Sequence, residues 1–353
     1  MEDETRLTVH GATAYPATAA SARVRIVNHI PFLRNLGIEL DHMPTLSADD
    51  YALLTSSANL ARKATVLGRS ALRALAIDDR SGMLLIHRLL LLMPLPGIDP
   101  PRRLDVYDFD DALTVGSAAA TNRRFQWTKQ EGRRAITCMR RARLVFAANS
   151  ILASQARLHA SRVEVLPSCV DPVAQPLHAH GVGETLTVGW IGSHTTAAYL
   201  KPLLPVVGRL HERGLRVRLT VIGADTGVRA PWIKHRPWSL ASQAADLASF
   251  DIGVMPLPDD AWARGKSGYK LLQYFAAGVP AIASPVGINS ELVAEGRGIA
   301  ATSPAEWERA LVEMGADADS RRQRGESARR YVEEHYSYQR WAPELASMLK
   351  ALA

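Results

Sequence analysis

From Thr185 onward the chain repeats one local unit, a short apolar run followed by a segment of helical character. "TLTVGWIGS" (Thr185–Ser193), "LRVRLTVIGA" (Leu215–Ala224), "DIGVMPL" (Asp251–Leu257) and "PAIASPV" (Pro280–Val286) read as strands. Helical stretches lie between them, among them one near "SQAADLASF" and one within "GKSGYKLLQYFAAG". The runs show little alternation of apolar and polar residues, so both faces of each strand must be covered. Strands of this kind separated by helices specify a parallel sheet with helices on both sides.

The first half follows the same plan less regularly. Strands are expected at "RLTVHG", "GMLLIHRLL", "RLDVYDF", "RLVFAAN" and "RVEVLPS", with a long helix from about Ser47 to Ile77. The run "MLLIHRLLLLMPLP" (Met83–Pro96) is too short to span a bilayer and carries His87 and Arg88, so it reads as a buried element with its loop. "PSCVDPVAQPLHAHGVGE" then breaks the pattern with prolines and no periodicity, which marks a domain boundary. Two domains suit a chain of 353 residues that is 47% hydrophobic. Beyond the second sheet the residues are mainly helical, and "SPAE" (Ser303–Glu306) is a capping box with proline at the first helical position.

The net charge of +7 favours anionic partners without choosing among them. Aromatic residues are only 6% and no stacking motif or dense basic stripe is present, which argues against nucleic acid. The two cysteines, Cys138 and Cys169, have no metal-ligand spacing and point to a reducing compartment. The N-terminus is acidic and lacks the apolar stretch of a secretory signal. A cytoplasmic protein is expected.

Ligands of doubly wound sheets bind outside the carboxyl ends of the strands. Three stretches belong there. "GWIGSHTT" (Gly189–Thr196) is either a phosphate-binding turn or an ordinary strand–helix turn capped by Thr195 or Thr196. In "GKSGYK", Lys266 and Lys270 flank Gly268 at a helix start, where acidic residues are normally preferred. The pair is either a solvated basic face or the partner of an anion, with Gly268 admitting close backbone approach. "DVYDFDDAL" places Asp108, Asp110 and Asp111 at a strand end, and clustered carboxylates need donors, a metal or solvent.

"GKSGYKLLQYFAAGVPAIASPVGINSELV" resembles the nucleotide-sugar signature of glycosyltransferase family 4. "GWIGSHTT", "DVYDFDDAL", "VEVLPSCVD" and "YSYQRWAPEL" agree with it. The resemblance implies an α/β protein of GT-B fold, two Rossmann-like doubly wound domains facing a cleft. Residues 1–172 would form the acceptor-side domain and 173–336 the nucleotide-sugar domain, with helix 337–353 packing back on the first. It further implies a retaining glycosyltransferase that takes a nucleoside-diphosphate sugar, needs no metal or other cofactor and serves an acceptor the sequence does not name.

The two glutamates common in that family fall here at Gly265 and Gln273. Lys270 and Tyr274 fit a variant signature, and Gln273 would meet the ribose. Asp110 stands where many relatives have a histidine and would lie near the transferred sugar. Gly192, Ser193 and His194 would line the donor, with Lys266, Gly268 and Lys270 on its diphosphate. A non-catalytic GT-B binding or partner protein and a nucleotide-sugar epimerase remain alternatives. The loop Ala224–Ser239 would lie near the base. A helix carrying Arg62, Lys63, Arg69 and Arg73 is either a solvated face or one that lies on the anionic inner surface of a membrane.

Overall fold

The computed structural model describes residues 6–56, 59–78, 81–95, 101–115, 129–181 and 183–353. The chain forms two compact units, Met1–Cys169 with Tyr338–Ala353, and Val170–Ser337. The sheet of the first unit contains β1 (Leu7–Thr13), β2 (Ile38–Pro44), β3 (Met83–His87), β4 (Val106–Phe109), β5 (Leu144–Ala147) and β6 (Val163–Val165). Its strands are all parallel, in the order β2-β1-β3-β4-β5-β6. The second unit holds β7 (Leu186–Ile191), β8 (Val217–Ile222), β9 (Ile233–Arg236), β10 (Ile252–Met255), β11 (Ala281–Ala283) and β12 (Gly298–Ala300). They too are parallel, in the order β12-β11-β10-β7-β8-β9.

The central strands are those whose apolar runs are continuous. β3, β4, β5 and β10 are buried at every residue, as a strand covered on both faces requires. Three strands were not apparent in the sequence: β2, β9 within the expected loop Ala224–Ser239, and β12. All three lie at sheet edges, where one side faces no partner and polar residues such as Asp41, Lys234 and His235 are tolerated. The expected long helix near Ser47–Ile77 is two helices, Ala48–Thr55 and Leu60–Asp78. Ser47 and Asp50 form a capping box on the first, and Asn59 Oδ1 accepts the Arg62 N–H at the start of the second. Residues 57 and 58, between them, lie outside the described residues. The Ser303–Glu306 capping box is present as read.

Strand order changes direction between β1 and β3 in the first unit and between β7 and β10 in the second. These are the switch points at which a doubly wound sheet leaves room for a ligand. The helix Tyr338–Lys350 contributes Leu345, Ala346 and Leu349 to the core around Val9, Leu40 and Phe146. Val170 and Ser337, first and last residues of the second unit, meet in a parallel bridge. Among the described residues no helix is long and apolar enough to cross a membrane.

Candidate functional site

In the second unit the carboxyl end of β7 is built around Trp190, which is 1% exposed. Gly192 follows one residue past the strand. A Cβ there would lie 2.5 Å from the Trp190 ring and 3.0 Å from Lys270 Cε, so only glycine fits between them. The Lys270 Nζ reaches 5.5 Å from the Trp190 ring centroid. The structure thus brings Gly192 and Lys270 together. The Gly192 N–H is engaged, since it donates to the Ile222 carbonyl at 3.0 Å, and is not an open donor for phosphate. Ser193, not Thr195 or Thr196, is the N-cap of the single-turn helix His194–Ala197. Its hydroxyl lies 2.8 Å from that of Thr195, and His194 is exposed.

The helix Tyr269–Ala276 begins after Gly268, whose φ of +67° is left-handed. A Cβ at Gly268 would meet Leu292 Cδ1 at 2.4 Å. Backbone conformation and apolar packing are by themselves enough to require glycine here. Lys266 precedes the helix, so the two lysines do not share one helical face. Its Nζ lies 4.6 Å over the Trp262 ring.

Tyr274 anchors the helix to the sheet. Its hydroxyl accepts the Ile191 N–H at 3.2 Å and donates to the Val254 carbonyl at 3.3 Å. Burial pushes its phenol well above the usual value, so it remains a neutral donor. That anchor sets Lys270 and Gln273, one turn apart, beside β7. Gln273 is only 7% exposed, and its amide makes no hydrogen bond among the described residues. The amide atoms are not among the fully enclosed unpartnered polar atoms of the described residues, so they are open to water or to a ligand.

In the first unit a polar network crosses the carboxyl ends of β1, β3 and β4. Thr13 of β1 is in register with His87 of β3, and His87 with Asp108 of β4. Asp108 accepts from Arg25 through Nε at 3.0 Å and through Nη2, and from His87 Nδ1 at 2.6 Å. The remaining Arg25 Nη1 donates to the Leu166 carbonyl at 2.8 Å. Burial alone would raise the Asp108 carboxyl, but the Arg25 charge and the bonds from His87 and Arg25 hold it below the usual range.

Asp110 accepts from Arg88 Nε at 2.6 Å, and Asp111 from Arg88 Nη2. Burial opposes the charge on Asp110, yet Arg88 and then His87 hold its carboxyl well below the usual range. The clustered aspartates therefore take guanidinium and imidazole donors. Among the described residues no three His, Cys, Asp or Glu side chains group as metal ligands. At the neighbouring ends of β1 and β2, Thr13 Oγ1 donates to the Tyr15 carbonyl at 2.6 Å and so accepts from His42 Nε2 at 2.9 Å.

Asp110 thus sits with His87 and Arg88 in one unit, while Gly192, Ser193, His194, Lys266, Gly268, Lys270 and Gln273 lie in the other. Sequence reasoning missed Arg25, His42, His87, Arg88 as a site residue, and the anchoring role of Tyr274. A His-Arg pair interrupting an otherwise apolar run was the one visible signal.

Residues 185–317 match the family model described as Glycosyl transferases group 1. No curated protein sequence matches the chain. Among solved structures, a sucrose-phosphate synthase from Thermosynechococcus elongatus superposes with a TM-score of 0.72 at 12% identity, over 98% of this chain and 99% of that one. WaaG, a glycosyltransferase involved in lipopolysaccharide biosynthesis, gives 0.63 at 14% identity over 97% and 99%. Alr3699/HepE of Anabaena, in complex with UDP and glucose, gives 0.63 at 13% identity over 98% and 100%. The fold of this chain is GT-B, as in these glycosyltransferases.

Proposed function

We propose that the chain is a retaining glycosyltransferase of the family 4 type, moving a sugar from a nucleoside-diphosphate sugar to an acceptor hydroxyl. The observation that carries the reading is Lys270 laid across Gly192 at the β7 switch point, one turn from the unpartnered amide of Gln273. A cation in the first turn of a helix stands against the helix dipole, and a bound diphosphate offsets that cost. The amide suits a ribose hydroxyl. When the sugar–phosphate bond breaks, negative charge gathers on the leaving diphosphate, and a fixed lysine lowers the barrier by stabilising it. UDP and glucose in the HepE structure, and the match of residues 185–317, support a nucleotide-sugar donor for this unit.

A thermal-shift panel of UDP, GDP, TDP and ADP sugars tests this, with Lys270→Ala beside the wild type. A nucleotide present at a hundred times its Kd stabilises by about 2.7 kcal/mol. One class should raise Tm by several degrees in the wild type and not in the variant, and chelator should leave the shift unchanged if no metal takes part. No shift from any nucleotide sugar would end the donor reading.

The carboxylate-free positions Gly265 and Gln273 favour one rival, a protein that binds the donor without turning it over. Release of free sugar from the stabilising nucleotide separates the two, and conversion of the nucleotide's sugar without release would mark an epimerase. We further propose that the acceptor is met at an anionic membrane surface. The support is the helix Leu60–Asp78, where Leu60, Leu72 and Leu75 are 85%, 68% and 47% exposed and no acidic residue occurs before Asp78.

A further inference from the structure

Residues 172–181 follow the bridge at Val170 and lead the chain into the second unit. The stretch has no helix or strand of its own and is tied down by side chains that donate to main-chain carbonyls. Gln175 Nε2 donates to the Ala244 carbonyl at 2.8 Å, His178 Nδ1 to that of Ala248 at 2.8 Å and His180 Nε2 to that of Gly278 at 2.9 Å. The His178 N–H adds a bond to the Ala277 carbonyl at 2.8 Å. Ala248, Ala277 and Gly278 lie at or just past the carboxyl ends of the helices Leu240–Ala248 and Tyr269–Ala276, where carbonyls lack partners within the helix. Gly325, inside the helix Ala318–His335, keeps the slot open: a Cβ there would lie 2.0 Å from the Gly278 oxygen and 3.0 Å from His180 Nε2. Glycine is a poor helix residue, and its place here answers to that slot.

A carbonyl can only accept, so His178 carries a proton on Nδ1 and His180 on Nε2. The other nitrogens, His178 Nε2 and His180 Nδ1, are enclosed and make no hydrogen bond. His178 Nε2 faces Asp251 Oδ1 at 3.4 Å, a carboxylate one residue before β10 that would balance a second proton. His180 Nδ1 has no such acceptor. Its neighbours are the His178 ring, edge-on at 4.5 Å, and Arg321, which donates to the Met314 and Gly181 carbonyls. Arg329, on the same helix as Arg321, already serves the Ala276 carbonyl. Burial first, and then His178 and Arg321, hold the His180 imidazole below its ordinary value, against the opposing pull of the Gly278 bond and of Asp251. The docked stretch thus has room for one added proton, and the released stretch for two.

We propose that residues 172–181 form an acid-released strap, docked on the second unit while His180 is neutral and freed when it takes a second proton. A released histidine titrates near 6.5 and the docked one lower, so docking is strongest above that value and weakens as pH falls below it. Nothing in this device requires a sugar or a nucleotide.

Val173 is 82% exposed while Cys138 and Cys169 are fully buried, so a nitroxide placed on Val173→Cys reports the strap. Electron paramagnetic resonance of the full-length protein should show restricted motion at pH 7.5. On stepping to pH 5 a fast component should grow several-fold and reversibly, with its midpoint below 6.5. A nitroxide on Val312→Cys, in the helix Pro304–Ala316, should not respond. In His180→Gln the amide keeps a donor for Gly278 and cannot titrate, so the strap should stay restricted at pH 5. Equal motion at both pH values would overturn the proposal. So would loosening in His180→Gln as large as in the wild type, or an equal change at residue 312. Motion already fast at pH 7.5 would mean that the Gln side chain fails to dock, and histidine 15N–1H spectra of the wild type then decide. His180 must gain its second proton in step with the fast component; a strap that stays restricted around a charged His180 would sink the idea.

Discussion

His29 shows how far a single residue's surroundings can reach. It is fully buried, neither ring nitrogen has a hydrogen bond, and its ring meets Tyr338 edge-on at 4.8 Å. Burial, and then the nearby Arg25 charge, push its imidazole down to about 3. An unfolded histidine titrates near 6.5, so between that value and about 3 the unfolded chain binds a proton that the folded chain refuses. Stability of the first unit must therefore fall as pH drops through this window. From pH 7 to pH 5 the loss from this residue alone is about 2 kcal/mol. His29→Phe keeps an aromatic edge on Tyr338 and should lessen that loss. Urea unfolding of both proteins at the two pH values checks it, and equal slopes would show that His29 does not titrate as its burial requires. The carboxyl of Asp108, depressed in the fold, adds its own loss only below the ordinary carboxylate range, as pH falls toward its folded value. Neither effect was legible in the sequence, because His29, Arg25 and Asp108 are brought together by folding across 83 positions of chain between Arg25 and Asp108.

At the scale of elements, the helix Leu60–Asp78 differs from its reading as a basic face. Arg69 and Arg73 both pair with Asp50, and Arg73 also donates to the Thr45 carbonyl at 3.0 Å. Their charge is partly spent inside the unit. What the helix presents outward is an apolar strip with Leu72 and Leu75, where Gly68 has open space on its Cβ side. Apolar side chains bordered by arginines suit a lipid interface, each leucine contributing ~1.5–3 kcal/mol if fully buried there. Co-sedimentation with phosphatidylcholine vesicles should rise when phosphatidylglycerol is added, and Leu72→Ser with Leu75→Ser should abolish the rise. Binding that ignores the anionic lipid would remove the membrane proposal. The same scale shows which elements sequence patterns reveal. Central strands announce themselves as unbroken apolar runs, whereas β2, β9 and β12 are edge strands whose polar residues hide them.

For the whole molecule, the telling feature is that the last helix belongs to the first unit. Leu345, Leu349 and Leu352 lie in the core that β1–β5 build, and the Tyr338 hydroxyl donates to the Val24 carbonyl at 3.2 Å. Burial of those leucines alone is worth ~5–9 kcal/mol, comparable with the entire stability of an ordinary domain. Deleting Tyr338–Ala353 should therefore unfold the first unit or bring its melting close to ambient temperature, while the second unit keeps its own transition. Calorimetry resolves this, and an unchanged first transition would mean that the helix packs without stabilising. The sequence by itself determined the alternation of strand and helix, the parallel sheets and the stretches at strand ends from which a site is drawn. Those follow from local periodicity, which a chain carries in its own order of residues. Only tertiary structure decided that Gly192 makes room for Trp190 and Lys270, that Gly268 answers to Leu292, and that His87 lies between Asp108 and Asp110. Such pairings depend on which strands become neighbours, and burial sets their energies.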